Sequence, residues 1–192
     1  MKSLSYHWLK YKAMVLLVFG RSAMAQGVFD EMVRRFPDKN YPRASRAHLH
    51  AQAGRHEAAL ADYEALLLLQ PGDARTWFNK GFVLELLGRW DEALTAFGRA
   101  TQLSPELDRA WYGQGLVLIR LHRFDEAIVA LKRNTELQPM SPHGWYQLAR
   151  VHIDSKQPEE AVKIIRHLKG FEPKVAAQLE RETGLLVSGS GA

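Results

Sequence analysis

The sequence predicts an all-α fold: an α-solenoid of five helix-turn-helix repeats closed by a C-terminal capping helix. Three observations predict it. Apolar residues recur at helical spacing; tryptophan, small residues and proline return every 34 residues; glycine or proline ends each apolar run. The pattern is clearest over residues 74–107. There Trp77, Lys80, Gly81 and Leu84 stand at i, i+3, i+4 and i+7, on one helical face. Gly88 breaks the run, and Ala93, Phe97 and Ala100 set a second face until Pro105 stops it. Neither helix can hide its apolar face alone, so the pair requires neighbours.

The neighbours follow from shifting the frame by 34 residues. Trp77 then falls on Trp111 and Trp145, Gly81 on Gly115 and Ala149, and Ala93 on Ala127 and Ala161. Phe97 falls on Leu131 and Ile165, and Pro105 on Pro139 and Pro173. Backwards, Ala59, Tyr63 and Pro71 take the same places, then Ala25, Phe29 and Pro37. After a lead over 1–5, five periods fit without an insertion: 6–39, 40–73, 74–107, 108–141 and 142–175. In the second, Leu66 to Leu69 cannot all face one side, and Leu68 is expected outside. Asp73 and Ser141 stand as N-caps, the latter before Pro142 in a first turn. Asp91-Glu92, Asp125-Glu126 and Glu159-Glu160 open second helices, where acids oppose the helix dipole. Their recurrence marks them as structural. The capping helix is expected over 176–186, with Ala176, Leu179 and Thr183 inward and Gln178, Glu180, Arg181 and Glu182 outward. Residues 187–192 read as a flexible tail.

This pattern resembles the tetratricopeptide repeat family, whose motif is Trp-x2-Leu-Gly-x2-Tyr, then Ala-x3-Phe, then Pro. The resemblance covers 170 of 192 residues. Departures are Lys80 and Gln114 in a Leu place, Arg43 and Leu9 in a Trp place, and Leu66 and Asn134 in a small-residue place. The resemblance implies that the repeated Trp is buried, so that Trp111→Ala would cost roughly 3–5 kcal/mol and loosen 108–141 locally.

Composition narrows the function. No cysteine is present, which excludes disulfides and thiolate chemistry. The net charge of +5 is concentrated in residues 1–39, with seven Lys or Arg against three acids, and in 108–175, with eleven against eight. No single helix carries a basic stripe, so nucleic acid is not an expected partner. No two of the eight histidines stand at i and i+4, and His48 meets only Gln52, a poor ligand, at that spacing. No phosphate loop or nucleophile elbow occurs, so neither catalytic residues, cofactor nor metal are expected.

The N-terminus supports two readings. Lys2, Lys10 and Lys12, the apolar run Ala13–Gly20 and Ala23-Met24-Ala25 before Gln26 fit a cleaved secretory signal. The same residues hold the 34-residue register, and cleavage would strip a whole first helix. The register favours a retained first repeat and a cytoplasmic protein; cleavage after Ala25 would make it periplasmic or secreted. The apolar run is too short to span a membrane.

The resemblance also implies a use for the first helices, which in the family line a concave groove that holds a peptide or a partner helix. Carried onto this sequence, the groove stripe is Tyr41, His48, Arg75, Phe78, Asn79, Phe82, Arg109, Tyr112, Leu116, Tyr146, Gln147, Arg150 and Ile153. Aromatic and Arg residues are those enriched at binding hot spots. The family's carboxylate clamp is incomplete: Asn79 and Arg109 match it, but Ala44, His48 and Gly113 do not. An acidic or amphipathic segment suits Arg75, Arg109 and Arg150 better. The expected function is a non-enzymatic adaptor or scaffold. Alternatives are an envelope, pilus or secretion assembly factor, if the signal is real, and a regulatory or substrate-recruiting subunit of an enzyme acting in trans. Self-association through the terminal helices is a further expectation.

Overall fold

A computed structural model describes residues 2–187. Among them are eleven α-helices and no strand. The helices are α1 (Lys2–Val18), α2 (Ser22–Arg35), α3 (Asn40–Gln52), α4 (His56–Leu69), α5 (Ala74–Leu86), α6 (Trp90–Leu103), α7 (Asp108–Arg120), α8 (Phe124–Leu137), α9 (Pro142–Asp154), α10 (Pro158–Lys169) and α11 (Pro173–Thr183). In chain order they come two to each 34-residue period, with α11 following the fifth. The expected lead over 1–5 is helical from Lys2 onward, since no glycine or proline there breaks the helix. The chain forms two compact units, Met1–Arg89 and Trp90–Ala192, and the division falls between the helices of the third repeat.

The turns inside the repeats share one geometry. A residue with positive φ stands at every thirty-fourth position: Gly20, Gly54 and Gly88, then His122 at φ 56° and Lys156 at φ 60°. The next residue's N–H closes each turn by reaching back five residues, from Arg21, Arg55, Arg89, Arg123 and Gln157 to Leu16, His50, Leu84, Leu118 and His152, at 2.7–2.9 Å. This satisfies carbonyls that the helix end would otherwise leave bare. Asp73 caps α5 as expected, accepting from the Arg75 N–H at 3.2 Å and the Thr76 hydroxyl at 2.5 Å. Ser141 holds the N-cap backbone position of α9 but makes no side-chain cap bond.

In the first unit each helix from α1 to α5 packs on the next. Leu9 and Ala13 of α1 are buried against Ala25, Val28, Phe29 and Met32 of α2, with Leu49 of α3. Leu9 thus fills its unusual place as core. Arg43, the other departure from Trp, joins a charged knot. Asp62 of α4 is only 4% exposed. It accepts from Arg46 Nε at 2.8 Å and Nη2 at 2.6 Å, with Arg43 at 3.8 Å. Arg46 also reaches Asp30 of α2 at 3.0 Å, so the knot links α2, α3 and α4. Lys80, in a Leu place, extends instead to Glu64 at 3.0 Å. Leu68 is exposed, as its position on the helix predicts.

In the second unit, successive helices from α6 to α11 pack pairwise and α9 also meets α11. The repeated positions form its core: Ala93, Ala127 and Ala161, with Phe97, Leu131 and Ile165, are at most 1% exposed. Small residues let the helices close. A Cβ on Gly113 would stand 2.6 Å from the Phe97 ring, and one on Gly115 2.7 Å from Leu131. The repeated tryptophans correct the expectation of burial. Trp77, Trp111 and Trp145 are half-buried, and each indole N–H donates to the proline carbonyl six residues earlier, Pro71, Pro105 and Pro139, at 2.8–2.9 Å. The ring lies over the turn because its one donor must find a partner there. Truncating Trp111 therefore removes a turn clamp rather than a core ring, and costs less than full burial would imply. Asn134, in a small-residue place, is buried and donates to the Asp108 carbonyl at 3.0 Å. Its Oδ1 lies 2.1 Å from where a Gly144 Cβ would stand. Asn134 is thus a bridge from α8 to the start of α7, and Gly144 makes room for it.

His152 of α9 is 3% exposed, with Nδ1 2.9 Å from Gln157 Oε1, and faces Lys132 and Glu160. Burial lowers its pKa. The neutral ring is the folded form, so its contribution is complete above the unfolded value of about 6.5 and is lost as pH falls through the lower folded value. Thermal unfolding from neutral pH to pH about 5 should show the melting temperature of the second unit falling. His152→Gln should flatten that slope; an unchanged slope would remove His152 from the account. Burial also lowers His50 in the first unit, aided by Arg55, whose Nε donates to its Nδ1 at 2.9 Å.

After α11, Gly184 adopts φ 72° and ends the helix, so the cap is Pro173–Thr183 rather than 176–186. Ala176 and Leu179 are buried as expected, and Thr183 is half-buried. Val187, expected to begin the flexible tail, is instead 5% exposed. Its N–H donates to Glu180 at 2.8 Å and its carbonyl accepts from Lys169. Lys169 also pairs with Glu180 at 2.8 Å, which holds that carboxyl below its ordinary range. Apolar burial and this paired acid tie the segment down. The rest of the expected tail, 188–192, lies outside the described residues.

Candidate functional site

The first helix of each repeat buries one face and leaves another partly bare. On α5, Thr76, Gly81, Val83 and Leu84 are buried, while Phe78 and Asn79 are half-buried and Phe82 is 47% exposed. Phe78 and Phe82 stand at i and i+4, so their rings share a side of the helix.

In the first unit a cleft of about 510 Å³ opens among α1, α3, α4 and α5. His48, Ser45 and Gln52 of α3 line it, with Asn79 and Thr76 of α5 and Tyr63 of α4. Its lining is mixed: amide, hydroxyl and imidazole groups surround the apolar edges of Leu17 and Leu49. Tyr63 is 4% exposed, and burial first, then Asp62, pushes its phenol up to about 12, so it stays a neutral hydroxyl. Of the expected stripe, His48 and Asn79 belong to this cleft. Tyr41 does not. Its ring meets Phe29 edge-on at 6.1 Å and carries Lys10 Nζ 4.5 Å from its centroid. It works as packing between α1, α2 and α3. Arg75 is exposed beside the Asp73 cap, and no acid among the described residues holds its guanidinium.

In the second unit a cleft of about 300 Å³ lies among α7, α9 and α11. Tyr112, Tyr146 and Gln147 line it, as the stripe predicts, with His143, Val175 and Gln178. Leu116 and Ile153 are half-buried, and Arg109 is exposed. Arg150 is exposed but engaged. Its Nη1 donates to the Tyr146 hydroxyl at 3.1 Å and lies 3.4 Å from Glu182 Oε2. The Tyr146 hydroxyl donates to the same oxygen at 2.6 Å, and Gln178 Nε2 donates to Glu182 Oε1 at 2.8 Å. Tyr146, then Gln178, holds the Glu182 carboxyl below its ordinary range. The bond to Tyr146 raises Arg150. Glu182 and Gln178 were expected on the outer face of the cap. They sit on the α9 side because α11 packs on α9, which brings Glu182 to the Tyr146 hydroxyl and Gln178 into the cleft. No signal in the period marks them, since one step back the register places Gln178 on Gly144 and Glu182 on Leu148, outside the stripe.

A third cleft of about 340 Å³ runs beside α8, α9 and α10, lined by Trp145, His152, His167, Lys132 and Glu160. His167 stacks between Trp145 at 4.6 Å and Phe171 at 5.3 Å. None of the expected stripe lies in it.

These clefts can hold an extended chain or a helix: aromatic edges supply apolar contact, and amides and hydroxyls can bond a peptide backbone. Among the described residues no group of three or more His, Asp or Glu is placed to hold a metal ion.

Comparison with known proteins agrees with the geometry. Family models described as tetratricopeptide repeat match residues 11–73, 47–111 and 118–180. No curated protein matches the chain. Among solved structures, a MamA protein aligns at a TM-score of 0.82 with 15% identity, over 95% of this chain and 97% of that one. MamA 41-end from Desulfovibrio magneticus RS-1 gives 0.80 with 19% identity, over 94% and 97%. YrrB, described as a TPR protein with an unusual peptide-binding site, gives 0.76 with 18% identity, over 88% of both chains. At these identities the likeness is one of fold.

Proposed function

Because the chain belongs to the tetratricopeptide repeat family, we propose that it is a non-enzymatic interaction scaffold that holds a protein segment against the bare faces of its first helices. The observation that carries this reading is the pair of clefts. Each opens on first helices, and each is lined by residues that the family resemblance implies for a groove: His48 and Asn79 in one, Tyr112, Tyr146 and Gln147 in the other. YrrB, which shares the fold, is described as having a peptide-binding site.

The mechanism is a preorganised surface. The clefts are held by packed helices, so little ordering entropy is lost when a segment binds. Phe78, Phe82 and Tyr112 serve as apolar anchors, and the exposed Arg75 and Arg109 fix register on an acidic or amphipathic segment through charge-assisted hydrogen bonds. Arg150 is a weaker candidate than its exposure alone suggests, because a partner acid must displace Glu182 from it.

The test is capture of partners by the full chain from its native lysate, compared with two surface variants. Phe82→Ala with Tyr112→Ala removes anchors, and Arg75→Glu with Arg109→Glu reverses charge. Each should reduce recovery of a partner at least about tenfold, since a hot-spot residue is worth roughly 2 kcal/mol. A partner recovered equally by parent and both variants would place binding elsewhere.

A further inference from the structure

Helix α1 is apolar on two opposite sides. One side, with Leu9 and Ala13, is core. The other is bare: Leu4 is 80% exposed, Trp8 60%, Tyr11 69% and Val18 83%, and Phe19 beyond the helix end is 74%. Positions 4, 8, 11 and 18, with half-buried Val15 between, recur at alternating steps of four and three. They therefore form one continuous stripe along the helix. On a helical projection Lys12 flanks one edge of the stripe, whereas half-buried Lys10 lies toward the core side. Lys12 Nζ lies 5.2 Å from the Trp8 ring centroid, and Lys10 Nζ over Tyr41. Arg21 follows in the turn, and the first acid in the sequence is Asp30.

We propose that this outer face of α1 docks on an anionic lipid bilayer, lying in the plane of the interface. Trp, Tyr and Phe beside Lys12 and Arg21 is the composition of a bilayer interface, where rings sit among headgroups and cations meet lipid phosphates. The absence of any acid before Asp30 gives the face one sign of charge, complementary to anionic lipid. The same fact disfavours a second copy: two α1 faces brought together would oppose Lys12 and Arg21 with no carboxylate on either helix to pair them. The helix lies on the membrane rather than crossing it. Its 17 residues span about 26 Å, short of the hydrocarbon core, and no described helix is long and apolar enough to cross.

The experiment is flotation of the full chain with phosphatidylcholine vesicles, pure or containing about one third phosphatidylglycerol. The chain should float with the anionic vesicles and remain behind with the neutral ones, and salt of about 0.5 M should weaken the binding. Trp8→Ser with Tyr11→Ser alters only exposed side chains and should lower the partition coefficient at least about tenfold while leaving the helical circular dichroism unchanged. Lys12→Glu should lower it roughly tenfold through charge alone. The anchor variant Phe82→Ala with Tyr112→Ala should float like the parent, which separates this surface from the proposed segment-binding faces of α5 and α7. Four results would overturn the proposal: no binding to anionic vesicles, equal binding by the α1 variants, a Trp8-dependent dimer by sedimentation without lipid binding, or a native protein whose intact mass begins at Gln26.

Discussion

Replacing Asp62 with alanine is expected to destabilise the first unit by roughly 3–5 kcal/mol, the range for removing one partner of a buried ion pair. The carboxylate is 4% exposed and takes both Arg46 nitrogens at 2.6 and 2.8 Å. Deleting it leaves two partly buried guanidinium groups, those of Arg46 and Arg43, without their shared counter-ion. Asp30 cannot replace it. It holds Arg46 through Nη1 only, and its side chain is 52% exposed, so its attraction is screened by water. A loss of this size should lower the melting temperature of the unit by more than about 10 °C. Faster amide exchange should appear first in α2, α3 and α4, which the knot joins. Asp62→Asn keeps the shape and should cost less, since the amide oxygen can still accept one of the two Arg46 hydrogen bonds. If Asp62→Ala melted within a degree or two of the parent, the knot would be a surface ornament and the packing of Ala59, Tyr63 and Leu66 would carry the unit alone.

The arrangement of helices was legible in the sequence because the residues that decide it are small, apolar and periodic. Ala93, Phe97 and their counterparts every 34 residues occupy buried places without exception in the second unit. Side-chain partnerships were less legible. That Asp62, Arg43 and Arg46 meet depends on how α3 and α4 lean together, which no spacing along one helix encodes. The family resemblance implied fully buried tryptophans; Trp111 and Trp145 instead pack half-buried against the core, each with its single donor bonded to a proline carbonyl. The last two inter-helix turns show the same limit: His122 and Lys156 adopt the left-handed geometry that glycine marks elsewhere, so composition alone does not reveal them.

The candidate site was partly legible. The family resemblance implied Tyr112, Tyr146, Gln147, His48 and Asn79 as groove residues, and they line the two clefts. It could not show that Tyr41 is held between Phe29 and Lys10, nor that Glu182 already occupies Arg150 and Tyr146. Both depend on neighbouring helices rather than on the stripe itself. The apolar outer face of α1 was visible only as an apolar run. Separating its core side from its bare side required α2 to be in place.

Phe97→Ala should be the costliest single change in the second unit, at about 3–5 kcal/mol for truncating a fully buried ring. Phe97 is 1% exposed, and its ring lies where a Gly113 side chain would begin, 2.6 Å from the position of a Cβ. The two residues therefore share one volume, and their substitutions should not add. Gly113→Ala alone forces the ring to shift and should cost roughly 1–3 kcal/mol by overpacking. In the Phe97→Ala background the new methyl group enters the vacated space and meets no ring. The double variant should then be more stable than the sum of the single losses predicts, by about 0.5–3 kcal/mol of coupling. Urea unfolding of the four chains of this cycle measures that difference. Simple additivity within about 0.5 kcal/mol would mean that α6 and α7 relax apart when the ring is lost, and that Gly113 is there for a reason other than making room for Phe97.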